Sequence, residues 1–466
     1  MTESPLMHAA AEATAPASQP PQIAAIQVDV LVVGGGPAGS TAATLLARKG
    51  WKVLMLEKDR HPRFHIGESL LPMSMPTLER LGVLEQVREI GVLKLAADFP
   101  IDDGGYNVFR FDHTLRPGPG YAYQVKREEF DQVLFAHARA NGVDAREQVK
   151  VERVELGAAG RPQCIHARDA AGNALQVRAR FLLDASGRDT LLGGQLKLKR
   201  RNPRHASAAV FSHFRGVARR EGDAAGNVTI CRHPHGWAWL IPLRDDITSV
   251  GVVCAPEHLK QRRGETEAFL MRTLESIGPA QERMKDAVRV APVHVTGNYA
   301  YECTRMHGPG WLLLGDAYSF VDPMFSSGVH LALNSAETGA EAVDAALREP
   351  AREAILMRAL ARRLDRGLDE FKWFIYRFTS PTMKHLFANP RNLFGVEQAV
   401  VSMLAGDVFD ARPVLWRLRV FRFIYALTTL QLAPAALRSW LQRRRAARDS
   451  FSGDTLQPAS ETDYGR

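Results

Sequence analysis

Gly34, Gly36 and Gly39 follow a short apolar run, Val28 to Val33, and open a small-residue helix expected from Ser40 to about Lys49. A second apolar run, Lys52 to Leu56, ends on Glu57, 23 positions after Gly34. Strand, glycine triplet, helix, strand and acid in this order form a dinucleotide-binding fingerprint. The glycines permit a tight turn and close approach of a pyrophosphate, the helix N-terminus holds the anion, and the acid accepts from ribose hydroxyls. A second such triplet is missing from the sequence, so one tightly held nucleotide is expected. Three further groups can do chemistry. Lys94, in the run Gly91 to Phe99, is either a solvated cation or, if buried, an amine that loses its proton readily. Trp237 and Trp239 share one face of a strand. Phe320 to Gly328 carries Pro323, Ser326, Ser327 and a glycine into a helix, a pattern that aims backbone N–H groups at an anion.

Taken with two later turns, Asp184-Ala185-Ser186-Gly187-Arg188 and Gly315-Asp316, the glycine segment resembles the FAD domain of the p-hydroxybenzoate-hydroxylase-like flavoproteins. Within that superfamily, Trp237-Ala238-Trp239-Leu240-Ile241-Pro242 is similar to the W-x-W-x-I-P motif of the flavin-dependent halogenases. Phe320 to Gly328 is similar to their F-x-x-P-x-x-S-x-G, and His65-Ile66-Gly67-Glu68-Ser69 to their loop beside the flavin. The resemblance implies FAD bound by Gly34, Gly36, Gly39, Glu57, Ser69, Arg127, Gly315 and Asp316, and chloride or bromide held by the amides of Ser327 and Gly328. It implies FADH2 supplied by a separate flavin reductase, and hypohalous acid made from oxygen and halide. Lys94 matches the lysine that directs hypohalous acid to substrate, as hydrogen-bond donor or as a transient haloamine, although Gly91 and Ala96 depart from the usual F-x-x-K-x-G flanks. Trp237 and Trp239 are either a gate that keeps substrate off the flavin or packing. An aromatic monooxygenase of the same fold is the alternative activity, and a non-catalytic flavoprotein scaffold the third reading.

Phe325 stands where the tryptophan-halogenating branch of the family carries a glutamate inside the halide motif. Without that carboxylate, the resemblance favours a ring that activates itself: a phenol or a pyrrole, free or bound to a carrier protein.

These groups need a scaffold to bring them together. Apolar runs at 149–154 and 176–183 read as strands of the nucleotide domain. Runs at 206–214, 228–231, 237–243 and 247–253 read as consecutive antiparallel strands, and Trp311 to Leu314 as one more buried strand. The expected fold is α/β: a Rossmann-like FAD-binding domain (27–200 and 290–347), an inserted antiparallel substrate sheet (201–289) and a helical C-terminal region (348–448). Prolines at 381, 390, 413 and 434 interrupt those helices, and 1–26 and 449–466 read as disordered tails.

The charge balance narrows the partners. The net charge of +9 arises between Arg412 and Arg448, which holds nine arginines and no Asp or Glu; the other 51 basic residues face 51 acidic ones. The body is neutral, so nucleic acid is not an expected partner. The arginine-rich helices read three ways: packed on the body, at an anionic membrane surface, or against an acidic carrier. Four widely spaced cysteines without a Cys-x-x-Cys pair argue against a disulfide framework or a metal site, and a cytoplasmic location follows as the expectation. The longest apolar candidate, 423–437, is 15 residues with Gln431 and Pro434 inside it, against the ~20 that a spanning helix needs.

Overall fold

The computed structural model describes residues 25–101, 104–202, 207–262, 264–297 and 300–433, with Arg438 and Leu441. Both expected tails, apart from 25 and 26, lie outside the described residues, as does Pro434.

Ile26–Val33 is the centre of a parallel sheet because both its faces are apolar and both its edges are paired. Val53–Leu56 lies on one side and Ala174–Asp184 on the other, flanked in turn by Asp144–Arg146 and Trp311–Leu313, all parallel. The chain order reverses across the central strand, which opens a crevice at the carboxyl ends of the strands. The glycine turn, Glu57, the Asp184 turn and Gly315 all sit at these ends. An antiparallel hairpin, Val149–Leu156 with Pro162–Asp169, extends from Ala174–Asp184; the second of its strands was not legible as one. The glycine helix, Pro37–Arg48, starts earlier than expected because Pro37 fits the first turn, where no backbone N–H is needed.

A second sheet runs Val288–Arg289, Ala208–Arg215, Ile247–Cys254, Gly236–Pro242, Val228–His233, Ala96–Pro100, Tyr106–Arg110, with His294–Gly297 also on Ala208–Arg215. Its membership differs from the expected 201–289. Ala96–Pro100 pairs in parallel with Val228–His233, a non-local contact that sequence order does not announce. The sheet's two faces alternate as the pleat demands. Phe211, Trp237, Trp239 and Ile241 join the main core, whereas Val210, Ala238, Leu240 and Val250 pack under the helices Thr266–Glu275 and Gly278–Arg283.

Among the described residues four α-helices follow: Glu353–Ile375, Pro381–Ala388, Val396–Leu404 and Arg412–Gln431. Pro381 and Pro413 lie in first turns, so each starts a helix, and Pro390 falls between two. The last helix packs Val414, Leu418 and Phe421 inward, the stripe that its all-round apolar composition concealed.

Candidate active site

The three glycines of the turn do different work. A Cβ on Gly34 (φ +98°) would lie 2.3 Å from the Ala185 carbonyl oxygen, and one on Gly39 only 1.9 Å from the Gly34 carbonyl oxygen. Both are needed for the protein's own close packing. A Cβ on Gly36 would meet nothing nearer than the Arg63 guanidinium at 3.7 Å. That open space, at the start of Pro37–Arg48, forms a cradle with room for an anion such as a pyrophosphate.

Around the cradle the crevice collects charge. Glu57 is buried and accepts from the amides of Gly35 (2.7 Å) and Asp59 (2.9 Å), which fixes its carboxylate and leaves second lone pairs for ribose hydroxyls. Arg63 bridges Glu57 (3.5 Å) and Asp131 (3.7 Å). Arg127 makes a two-pronged pair with Asp131 (2.9 and 3.0 Å) and donates to the Ile66 carbonyl (2.7 Å), so it braces the His65–Ser69 loop. Burial raises the Asp316 carboxyl to about 6, against the opposing pull of Arg188 and Arg127. Gly315, at φ +54°, lets this turn approach Ala332 and Ala38, so the first and last nucleotide segments touch. An open cradle, two arginines, a fixed carboxylate and a half-buried acid fit FAD. Arg63 was missed by sequence reasoning; its signal is only a basic residue shortly before the His65–Ser69 loop.

Lys94 is 1% exposed, which excludes a solvated cation. It ends the strand Gly91–Lys94, whose partner is Ala122–Val125. Its Nζ donates to Ser69 Oγ and to the Leu70 carbonyl, both at 2.9 Å, and sits 5.2 Å from the centre of the Phe111 ring. Burial alone lowers its pKa to about 7. Ser69, expected at the cofactor, thus gives its oxygen to the lysine and keeps its own proton to donate.

Ser327 is the first residue of the helix Ser327–Arg348, and it follows Ser326 in the left-handed region (φ +56°). Asp322 fixes the approach: its Oδ1 accepts from the Met324 amide (3.1 Å) and its Oδ2 from Ser207 Oγ (3.2 Å). A Cβ on Gly328 would meet nothing within 4 Å, so this helix start faces open space. Val329 packs in one apolar cluster with Leu70 and Tyr123, which places the helix start and the lysine's partners around a shared core. Phe325 is buried edge-on against Phe378, 5.5 Å between ring centres.

Trp237 and Trp239 lie on one face, 5.7 Å apart, both buried. Trp239 Nε1 donates to Ser249 Oγ (3.1 Å), whereas Trp237 Nε1 has no hydrogen-bond partner among the described residues. Trp239 packs on Phe211, and Phe211 on Phe64, just before the His65–Ser69 loop, so an aromatic run links the pair to that loop.

Comparison with known proteins agrees with this arrangement. The FAD binding domain family matches residues 27–370. The tryptophan 2-halogenase of Chondromyces crocatus is 37% identical over 319 residues, 67% of this chain and 60% of that protein, so the chain spans less than two thirds of this relative's length. The 1H-pyrrole-2-carbonyl-(peptidyl-carrier protein) chlorinase of Pseudomonas fluorescens is 32% identical over 66% of this chain and 74% of that protein. Among solved structures, the myxobacterial chondrochloren halogenase CndH superposes with a TM-score of 0.72 at 30% identity, covering 84% of this chain and 92% of that one. With the dinucleotide crevice, the open helix start and the buried lysine in one fold, the chain belongs to the FAD-dependent halogenases, flavoprotein oxidoreductases of the FAD binding domain family.

Proposed function

We propose that this chain halogenates an electron-rich ring, a phenol or a pyrrole, free or tethered to a carrier protein, and that Lys94 delivers the halogen. The observation that carries the reading is a fully buried lysine whose pKa falls to about 7. FAD held in the crevice and reduced by a separate flavin reductase would supply the two electrons that activate O2, the oxidant that turns chloride or bromide into hypohalous acid. The chain's own residues do the rest. The amides of Ser327 and Gly328 hold the halide at the helix start, where the dipole favours an anion. Gly36, Glu57, Arg63, Arg127 and Asp316 bind the cofactor, and Trp237 and Trp239 close the flavin side against substrate.

With its pKa lowered to about 7 by burial, the Lys94 amine can exchange between protonated and neutral forms near neutral pH. The ammonium donates a hydrogen bond that polarises hypohalous acid. The neutral amine attacks halogen, forming an N–X bond as the O–X bond breaks and water leaves. The ring then takes X⁺, loses its proton and regenerates the amine. Phe325 contributes no base, so the ring must stabilise positive charge itself, as an ionised phenol or a pyrrole nitrogen does. The pyrrole-carrier chlorinase among the relatives supports this class.

The test is mass spectrometry of phenolic, pyrrolic and carrier-bound pyrrolic candidates after incubation with FAD, a reductase, NADH and bromide. Bromide-dependent monobrominated product is expected. Hydroxylated product that ignores bromide would make the chain a monooxygenase, and no turnover with supplied FADH2 would make it a scaffold.

A further inference from the structure

The helix Arg412–Gln431 has two apolar stripes on opposite sides. The inner one, Val414, Leu418 and Phe421, is buried, and polar contacts latch it to the body. Tyr425 hydroxyl donates to Ser380 Oγ (3.2 Å), Thr429 meets Thr382 (3.1 Å), and Arg422 pairs with Glu370 (2.6 Å). At 100° per residue the opposite side carries Trp416, Phe423, Leu427 and Leu430. These are 53%, 64%, 46% and 73% exposed, far beyond the scattered single apolar residue that a surface ordinarily shows. Arg412 and Arg419 lie on this outer side and are exposed. Leu393 and Phe394, also exposed, stand beside the helix, where Arg417 Nε donates to the Phe394 carbonyl (2.9 Å).

We propose that this outer face docks on an anionic lipid surface, with the helix lying flat in the headgroup region. Two features choose the occupant. The patch is a straight convex ridge of about 21 Å, from Trp416 to Leu430. A ridge of large side chains buries itself in a deformable apolar layer, whereas a protein partner must offer a matching groove. The charge is of one sign: the segment from Arg412 to Arg448 contains nine arginines and no acid. A second copy docked ridge to ridge would bring the exposed Arg412 and Arg419 of both copies together, and an anionic surface is their complement. Their long stems suit such a boundary, with the guanidinium groups at the phosphates and the methylenes along the apolar layer. Among the described residues no helix is long and apolar enough to cross a membrane, so the contact is peripheral.

The experiment uses the full-length FAD-loaded protein and phosphatidylcholine vesicles with and without phosphatidylglycerol, read by co-sedimentation. Affinity for the anionic vesicles is expected to exceed that for neutral ones by about tenfold or more and to fall steeply with salt. The variant Trp416→Ser/Phe423→Ser/Leu427→Ser should lose vesicle binding while keeping flavin content and melting temperature, because none of the three faces the core. Arg412→Glu/Arg419→Glu should weaken binding without touching the apolar ridge. Equal binding to both vesicle types overturns the proposal, as does unchanged binding of the triple-serine variant. A concentration-dependent dimer in light scattering that the triple-serine variant dissolves overturns it in favour of a second copy. A carrier protein that binds the ridge, in the absence of vesicle binding, overturns it in favour of that partner.

Discussion

Replacing Lys94 with methionine separates the chemical role of the amine from the energetic consequence of burying it. A fall from 10.5 to about 7 corresponds to roughly 4–5 kcal/mol at ~1.4 kcal/mol per pH unit. Below pH 7 the lysine is protonated in folded and unfolded chains alike, and the folded state bears the whole penalty. Between pH 7 and 10.5 the unfolded chain holds a proton that the folded chain has released, so wild-type stability rises with pH. By pH 9 about 2–3 kcal/mol of the penalty is recovered. Methionine fills similar volume and does not titrate. It leaves Ser69 Oγ and the Leu70 carbonyl without their donor, at a cost of ~1–3 kcal/mol each that does not depend on pH. The offset between the two proteins is therefore set by opposing effects, but the slope is not. Urea unfolding at pH 6 and pH 9 should show the wild type gaining about 2–3 kcal/mol on the variant. Other titrating groups, such as the half-buried Lys199, cancel because they are common to both. Parallel stability profiles would refute a buried amine of low pKa. In activity assays Lys94→Met should keep its flavin and lose regioselective halogenation by orders of magnitude, and Lys94→Arg should not restore it, because guanidinium does not release its proton.

Gly36→Val should leave the fold intact and abolish flavin binding, read from the visible absorbance of the purified protein, because its side chain enters only the cradle. Gly39→Val should instead prevent folding, since its Cβ would collide with the Gly34 carbonyl; comparable flavin retention in both would contradict the division of labour among the glycines. Gly328→Val should raise the KM for bromide with little change in melting temperature, as its side chain would occupy the open space at the helix start. Asp131→Ala strands the buried Arg127 guanidinium, and thermal unfolding should report a loss of about 3–5 kcal/mol together with weaker flavin binding.

The nucleotide half of the fold was readable because its signals are local: a buried strand, a glycine turn and an acid within residues 28–57. The central strand, its neighbour and the helix between them follow the expectation closely. What sequence could not show is who pairs across long separations. Ala96–Pro100 belongs to the second sheet through Val228 and Thr229, and nothing in its own composition names that partner. The same holds for Lys94. Its identity was legible, its burial was not, because burial depends on Phe111, Ser69 and Leu70 converging from separate segments. Arg63 escaped notice because an arginine's role is set by the acids around it, here Glu57 and Asp131. The helix Arg412–Gln431 misled in a different way: two apolar stripes superposed on one wheel look like none.

The position of the glycine turn has a consequence for synthesis of the chain on the ribosome. Among the described residues, the first strand to be made is the middle of its sheet, and one of its two edges waits for Ala174–Asp184. The turn itself leans on the Ala185 backbone, and the wall of the crevice that includes Asp316 arrives only after Trp311–Leu313 has docked. Until then, the nascent chain carries an apolar strand with an open edge, the kind of segment that aggregates or recruits a chaperone. Flavin cannot rescue it, because the cradle that would bind flavin lacks two of its sides. Cofactor capture is thereby a late event, and expression yield should respond to chaperone supply during synthesis and to flavin supply only after the chain passes residue 316.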